Sequence, residues 1–308
     1  MSSANKNISF VGFMVALSGA IFFSTKAIFV KLAFRETKVD ALTLLTLRMA
    51  FALPFYLIVT IYTDFRERKT ISRKDILWIA IMGILGYYLS SLFDFIGLQY
   101  VSAGLERLIL FLYPTFAVLI NTFYFKTKLS KPQVAALALT YAGIGIAYIG
   151  EMKLDTSNPN FYFGSIMIFL CAVTYSFYLV GTGKLVVRVG ATRYTNYAML
   201  FATAGIFTHF IISKQVSSIH ISSTLFNYTL ALATFATVFP SFMMSYGMKK
   251  IGSNNVAIIT SIGPVSTIIQ AHFILGEPIL FLQLVGTILV IIGVILIGRE
   301  TKIKAATE

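Results

Sequence analysis

Stretches of about 20 apolar residues recur along the whole chain, each long enough to cross about 30 Å of hydrocarbon at about 1.5 Å per residue. About ten can be counted, over the approximate spans 10–34, 41–63, 76–98, 103–125, 132–149, 161–186, 194–212, 226–247, 253–275 and 280–298. The connectors between them are short, with no soluble domain or low-complexity tract. A chain of 308 residues that is 57% hydrophobic and 12% charged has too few polar side chains to coat a water-soluble globule. The expected fold class is therefore all-α integral membrane, with about ten transmembrane helices. The first run is too long and lacks a small-residue cleavage site, so it reads as a spanning helix and not as a signal peptide.

Lys and Arg number 25 against 12 Asp and Glu, a formal net charge of +13. Because the basic residues fall mostly between the apolar runs, they report orientation and not a nucleic-acid partner. With the N-terminus inside, the inner segments collect Lys6, the Arg66 to Lys74 cluster, Lys126, Lys128, Lys131, Lys184, Arg188, Arg193, Lys249, Lys250, Arg299, Lys302 and Lys304. The outer segments hold only Lys31, Arg35, Lys38, Arg107, Lys153 and Lys214. Both termini are accordingly expected in the cytoplasm.

The stretch from Gly97 to Gly143 aligns with Gly247 to Gly293 at a constant shift of 150 residues, matching Pro114 with Pro264 and Gln133 with Gln283. A shift of 153 brings Leu17 onto Leu170 and Lys31-Leu32 onto Lys184-Leu185. Residues 1–150 and 151–308 thus read as two five-helix repeats. Five being odd, the second repeat must enter the membrane inverted, and the loop charges agree. Lys126-Thr127-Lys128 inside stands opposite Gly276-Glu277-Pro278 outside, and Gln99-Tyr100 outside opposite Lys249-Lys250 inside.

Arg48 early in the second run, the Pro264 segment, the Gly276-Glu277-Pro278 turn and the glycine-spaced last run, Gln283 to Gly298, resemble the EamA family of the drug/metabolite transporter superfamily. Phe23 to Lys26, Tyr87 to Ser91 with Asp94-Phe95, and Ser102 to Arg107 resemble a bacterial subgroup of that family. The first repeat departs from the family pattern with Lys126-Thr127-Lys128 in place of Gly-Glu, as its inner location requires. The resemblance implies a multi-pass protein of the bacterial inner membrane that moves a small organic metabolite by alternating access and secondary transport, commonly as efflux. It also implies a central cavity lined by the first, third, fourth, sixth, eighth and ninth helices, with the fifth and tenth behind.

Charged groups inside the apolar runs cost about 2.5 to 3.5 kcal/mol each near a helix centre and need partners. Lys26 lies about 24 Å into the first helix from the inner side, Asp94 about 27 Å into the third, and Arg48 about 10 Å from the outer end of the second. Glu106 and Arg107 open the fourth helix at the same outer level, so all five share one layer. They read either as ion pairs that tie helices together or as the polar end of a substrate site. Tyr87, Ser91 and Asp94 form one polar stripe at helical spacing. Asp94 is the candidate for proton coupling, with Lys26 receiving the carboxylate of an anionic or zwitterionic amphipathic substrate such as an amino acid.

The second repeat places Leu179, Met244 and Val256-Ala257 opposite Lys26, Asp94 and Glu106-Arg107. Tyr175, Tyr178, Met243, Tyr246, Gln270 and His272 are its soft or polar residues, with Tyr175 and Tyr178 the candidates for substrate contact. Pro114 and Pro264, expected well inside their helices, read as matched flexing points for gating. Gly143, Gly145, Gly286 and Gly293 suit close helix packing or a homodimer contact.

The single Cys171 and the unclustered His209, His220 and His272 offer no metal-ligand spacing, and neither a phosphate-binding loop nor a paired-carboxylate motif is present. The expectation is a transporter, not an enzyme, needing no cofactor or metal, with lipid and a small-molecule substrate as its partners. A passive channel or a lipid-facilitating protein is the alternative.

Overall fold

In the computed structural model, residues 10–67, 70–125, 130–154, 158–213, 221–251, 256 and 259–307 are described, some of them without their side chains. The Lys126-Thr127-Lys128 loop of the charge argument, together with Lys6, Lys214 and His220, lies outside them.

The described residues form helices joined by short connectors, with no strand among them, as burial in lipid demands of a backbone that must satisfy its own hydrogen bonds. α1 is Phe10–Thr37, α2 Ala41–Glu67 and α3 Arg73–Leu98. α4 comes in two pieces, Ala103–Leu110 and Tyr113–Phe125, followed by α5, Lys131–Leu154. α6 is Phe161–Val189, α7 Ala191–Ile212, α8 Ser223–Ala233 continuing through Phe239–Ile251, α9 Gly263–Leu275 and α10 Phe281–Thr307. Eight of these, among the described residues, are long and apolar enough to cross a membrane, while two further apolar stretches, Gly263–Leu275 and Phe281–Leu296, are shorter. Many large apolar side chains are exposed: Phe123 and Phe273 to 80% and Phe65 to 79%. That is the reverse of a water-soluble surface and marks a lipid-facing perimeter.

The most extensive helix pairing joins α5 and α10. Small residues make it possible: a Cβ on Gly143 would sit 2.6 Å from the Gly286 carbonyl oxygen, and one on Gly286 would overlap the Gly143 carbonyl. Gly293 presses on Thr140 in the same seam, so three of the four glycines are spent inside the chain, whereas Gly145 has nothing within 4 Å. Without a hydrophobic driving force between helices in lipid, such close approach is what holds the pair together.

Local features repeat at the 150-residue offset. Ser72 caps α3 by accepting from the Asp75 N–H (3.1 Å), and Ser222 caps α8 by accepting from the Leu225 N–H (3.2 Å). α3 contains a π-helical turn over Ile84–Leu89 and α8 one over Thr234–Val238. In α4 the Leu112 N–H bonds the Ile109 carbonyl (3.0 Å), and ahead of α9 the Ile262 N–H bonds the Ile259 carbonyl (3.2 Å). Both are i→i−3 bonds that tighten the chain just before a proline. The expectation that Pro114 and Pro264 sit well inside continuous helices is therefore corrected. Each lies in the first turn of a new helical piece, where its missing N–H has no intrahelical acceptor to lose. The interruption lies in the turns at residues 111–112 and 261–262.

A cavity with a charged end and a tyrosine wall

A cavity of about 470 Å³ runs down the middle of the bundle. The expected contributions of α1, α3, α4, α6 and α8 are present, through residues such as Lys26, Asp94, Arg107, Tyr178 and Ser241. Two more helices join them: α2 supplies Arg48, and α7 supplies Ala191, Tyr194, Thr195 and Met199. Val256 and Thr260, just before α9, complete the wall.

At one end the Lys26 ammonium sits 2.7 Å from Asp94 Oδ2 and 3.6 Å from Glu106 Oε1. Three helices thus meet at one lysine, which explains how an ammonium is kept inside the bundle. Asp94 and Glu106 are 1% and 0% exposed. Asp94 lines the cavity but Glu106 does not, so its expected direct contact with substrate is not what the geometry provides. Arg48, 4% exposed, lies 5.1 Å over the Phe95 ring and donates to Ser91 Oγ (3.3 Å). Arg107 lies 5.6 Å from the Phe111 ring centre, its planar face packed on apolar carbon. Neither guanidinium has a carboxylate within ion-pair distance among the described residues, and the Nε of each lacks a hydrogen-bond partner. Three cations therefore face two acids, and two of the cations are free to take an anion from the cavity.

The opposite wall is aromatic. Tyr87 and Tyr178 share a hydrogen bond between their hydroxyls (2.9 Å), Tyr175 stacks on Tyr178 at 5.5 Å, and Tyr113 meets Tyr175 edge-on at 5.2 Å. Tyr113 and Tyr194 were not singled out from the sequence, where a tyrosine in an apolar run looks like packing. Leu179, Met244 and Val256, the residues opposite Lys26, Asp94 and Glu106 in the sequence alignment of the two halves, line the same cavity. One half of the chain thus supplies charge and the other apolar surface. Met243, Tyr246, Gln270 and His272 do not line it; Gln270 bonds Ser266 and His272 the Glu277 carbonyl.

Pro114 and Pro264 are not in the lining, but the chain interruptions beside them are bound crosswise. Ser24 of α1 donates to the Gly263 carbonyl (3.3 Å), and Ser176 of α6 to the Tyr113 carbonyl (3.0 Å). The two acceptors are 150 residues apart, so the first helix of each half holds the broken helix of the other.

Hydrogen bonds also join the helix ends around the start of α4. Lys31 donates to the Val101 carbonyl (2.8 Å) and Asn158 to the Tyr100 carbonyl (2.8 Å). The Ala103 N–H donates to Glu277 Oε1 (3.0 Å), capping α4 with a carboxylate from the α9–α10 turn. Glu151 Oε1 accepts from Ser102 (2.8 Å) and from Gln283 (3.1 Å). At its other end the cavity reaches Val186, Ala191 and Tyr194, beside the α6–α7 turn at Gly190.

Comparison with known proteins agrees with this architecture. The EamA-like transporter family model matches twice, over residues 10–149 and 162–299. An uncharacterized transporter of Bacillus subtilis (strain 168), YcbK, is 30% identical over 285 residues, 89% of this chain and 88% of the relative. A second from the same organism, the uncharacterized transporter YyaM, is 28% identical over 80% of this chain and 81% of its own. A solved crystal structure superposes with a TM-score of 0.61 at 17% identity, over 92% of this chain and 97% of the other, a likeness of fold alone.

Proposed function

Since the chain belongs to the EamA-like transporter family, we propose that it is a secondary transporter that exports a small organic metabolite across the bacterial inner membrane by alternating access. The cargo class is an amino acid or related compound with an acidic group on an apolar body. The observation that carries this reading is the division of the cavity. Lys26, Arg48 and Arg107 gather at one end, and tyrosines with Leu179, Met244 and Val256 line the rest. A carboxylate taken by the unpaired guanidiniums would gain charge-assisted hydrogen bonds in a water-poor site, and the apolar body would meet the aromatic wall. Asp94, paired to Lys26 and facing the cavity, is the point at which substrate binding and proton binding would compete.

Two inverted five-helix units, 1–150 and 151–308, are the architecture this reading uses. The twofold family match and the caps, π-helical turns and interruptions recurring at one offset support it. Alternating access would then flex both halves at the turns beside Pro114 and Pro264, with Ser24 and Ser176 as the pins. Substituting Ala at Pro114 and at Pro264 is expected to slow turnover more than it weakens substrate binding; unchanged turnover in both variants would remove the gating role.

The substrate is to be found by untargeted metabolite comparison of overproducing and deleted cells, followed by uptake into proteoliposomes. Arg107→Gln should then weaken apparent affinity about tenfold or more, from the loss of about 1.5 to 3 kcal/mol of charged hydrogen bonding. Linear, non-saturating uptake would point to a passive channel instead.

Orientation is tested in a Cys171→Ser background, which removes the only thiol. A cysteine at exposed Thr70 should be shielded from an impermeant thiol reagent in intact cells, and one at exposed Asn160 should react. The opposite labelling would invert the assignment. Glu277 is unsuitable for this purpose because its carboxylate caps α4.

A further inference from the structure

We propose that Glu106 is a buried proton-binding site, carrying the proton that Asp94 exchanges with the cavity. The inference deepens the transport reading, on which its purpose rests, but its chemistry stands apart from any substrate.

Lys26 is the one cation within ion-pair distance of either acid among the described residues, at 2.7 Å from Asp94 and 3.6 Å from Glu106. One buried ammonium compensates one carboxylate. A second, fully buried, would be a charge without a cation of its own at ion-pair distance, which proteins avoid by taking up a proton. Both acids reach the same ammonium nitrogen, and among the described residues neither carboxyl group has a hydrogen-bond partner besides it. Asp94 is the closer to the ammonium and faces the cavity; Glu106 is 0% exposed and is the surplus acid.

Among the described residues, the groups that surround Glu106 supply no ion-pair partner besides Lys26. α1 brings Lys26, α3 brings Asp94, α6 brings the Cys171 thiol, and Arg107 follows on α4 itself with its guanidinium packed on Phe111. Arg48 of α2 faces Asp94 and Ser91. Glu151 of α5 and Gln283 of α10 bond each other at the start of α4, where Glu277 from the α9–α10 turn caps the helix.

The arrangement defines an exchange that balances. Lys26 lies nearer Asp94, so in this arrangement Asp94 is the ionised partner and Glu106 the acid that holds the proton. When the ammonium swings to Glu106, the proton passes from the Glu106 carboxyl to the Asp94 carboxylate. Asp94, now neutral and lining the cavity, can give that proton to water, the carboxylate left behind facing the cavity beside Arg48. Charge within the trio is unchanged by the swing, so the step requires no additional buried charge. Glu106 stores the proton and Asp94 is its port.

The test is infrared spectroscopy of the purified full-length protein at neutral pH, with no substrate added. A protonated-carboxyl C=O band is expected that shifts down when glutamate carboxyls carry carbon-13 and stays put when aspartate carboxyls do. It should vanish in Glu106→Gln and persist in Glu151→Gln, the other glutamate buried among the described residues. The isotope experiment on the unaltered sequence serves even if a variant does not fold. Absence of the band, movement with the aspartate label, or survival in Glu106→Gln would overturn the assignment. Should the band behave as expected while no transported compound is found, the transport reading fails and this one stands; transport without the band gives the reverse.

Discussion

Lys26→Met should cost about 3 to 5 kcal/mol of stability, the range for removing one partner of a buried ion pair. It leaves Asp94 at 1% exposure with no cation within ion-pair distance among the described residues. A lowered unfolding midpoint in detergent, together with abolished accumulation against a gradient, is the expected outcome. The sign of its pH dependence follows from the charge left behind. Acidification protonates the stranded carboxylate, so the deficit relative to the unaltered protein should shrink as pH falls. Lys26→Met/Asp94→Asn should recover most of the stability, since the remaining acid, Glu106, is then neutral. If the double substitution also restores coupled transport, the pair only ties helices together and the coupling mechanism is wrong.

Gly286→Val is expected to be as severe by a different route. Its first added carbon would overlap the Gly143 carbonyl and lie 2.8 Å from the Ala147 Cβ. Here backbone opposes backbone, so no flexible side chain can yield, and the cost should exceed the usual 1 to 3 kcal/mol or so of overpacking. Loss of the monodisperse species in size-exclusion chromatography is the measurement. Gly145→Ala is the control: nothing lies within 4 Å of the added carbon, and the helix gains about 0.5 to 1 kcal/mol from the removal of a glycine.

Much of the architecture is legible in the sequence because membrane burial imposes a length and a polarity that local sequence must show. The ninth run shows in the sequence without its interruption. Gly263 and Pro264 begin a new piece after a turn, and hydropathy is blind to such breaks. Pro114 and Pro264 betray the positions of the interruptions but not their form, since a proline inside a helix and one that starts a helix look alike in sequence.

The site was readable to the extent that charge in an apolar run is itself a signal. Lys26, Asp94, Arg48 and Arg107 announce themselves this way, and they line one cavity. What sequence does not contain is which charges meet. Glu106 and Arg107 are neighbours in the chain, yet one turns back to Lys26 and the other into the cavity. The aromatic wall was half visible. Tyr175 and Tyr178 stand out by their spacing, while Tyr113 and Tyr194 enter through a helix interruption and through α7, a helix not expected at the cavity.

The π-helical turns in α3 and α8 bear on how chains of this kind are aligned. Such a turn is one residue more than an α-helix needs, absorbed as a local bulge while the flanking faces keep their directions. Deleting one residue within Ile84–Leu89 would therefore straighten α3 without rotating Asp94 away from Lys26. In alignments of such helices, a one-residue gap can fall in the middle of a transmembrane segment, where gaps are ordinarily penalised most. An alignment that pushes it into the adjoining loop would shift the intervening positions by one residue, about 100° around the helix. It would then pair Tyr87 or Ser91 with lipid-facing positions. Placing the gap at the bulge keeps cavity-facing residues in one column.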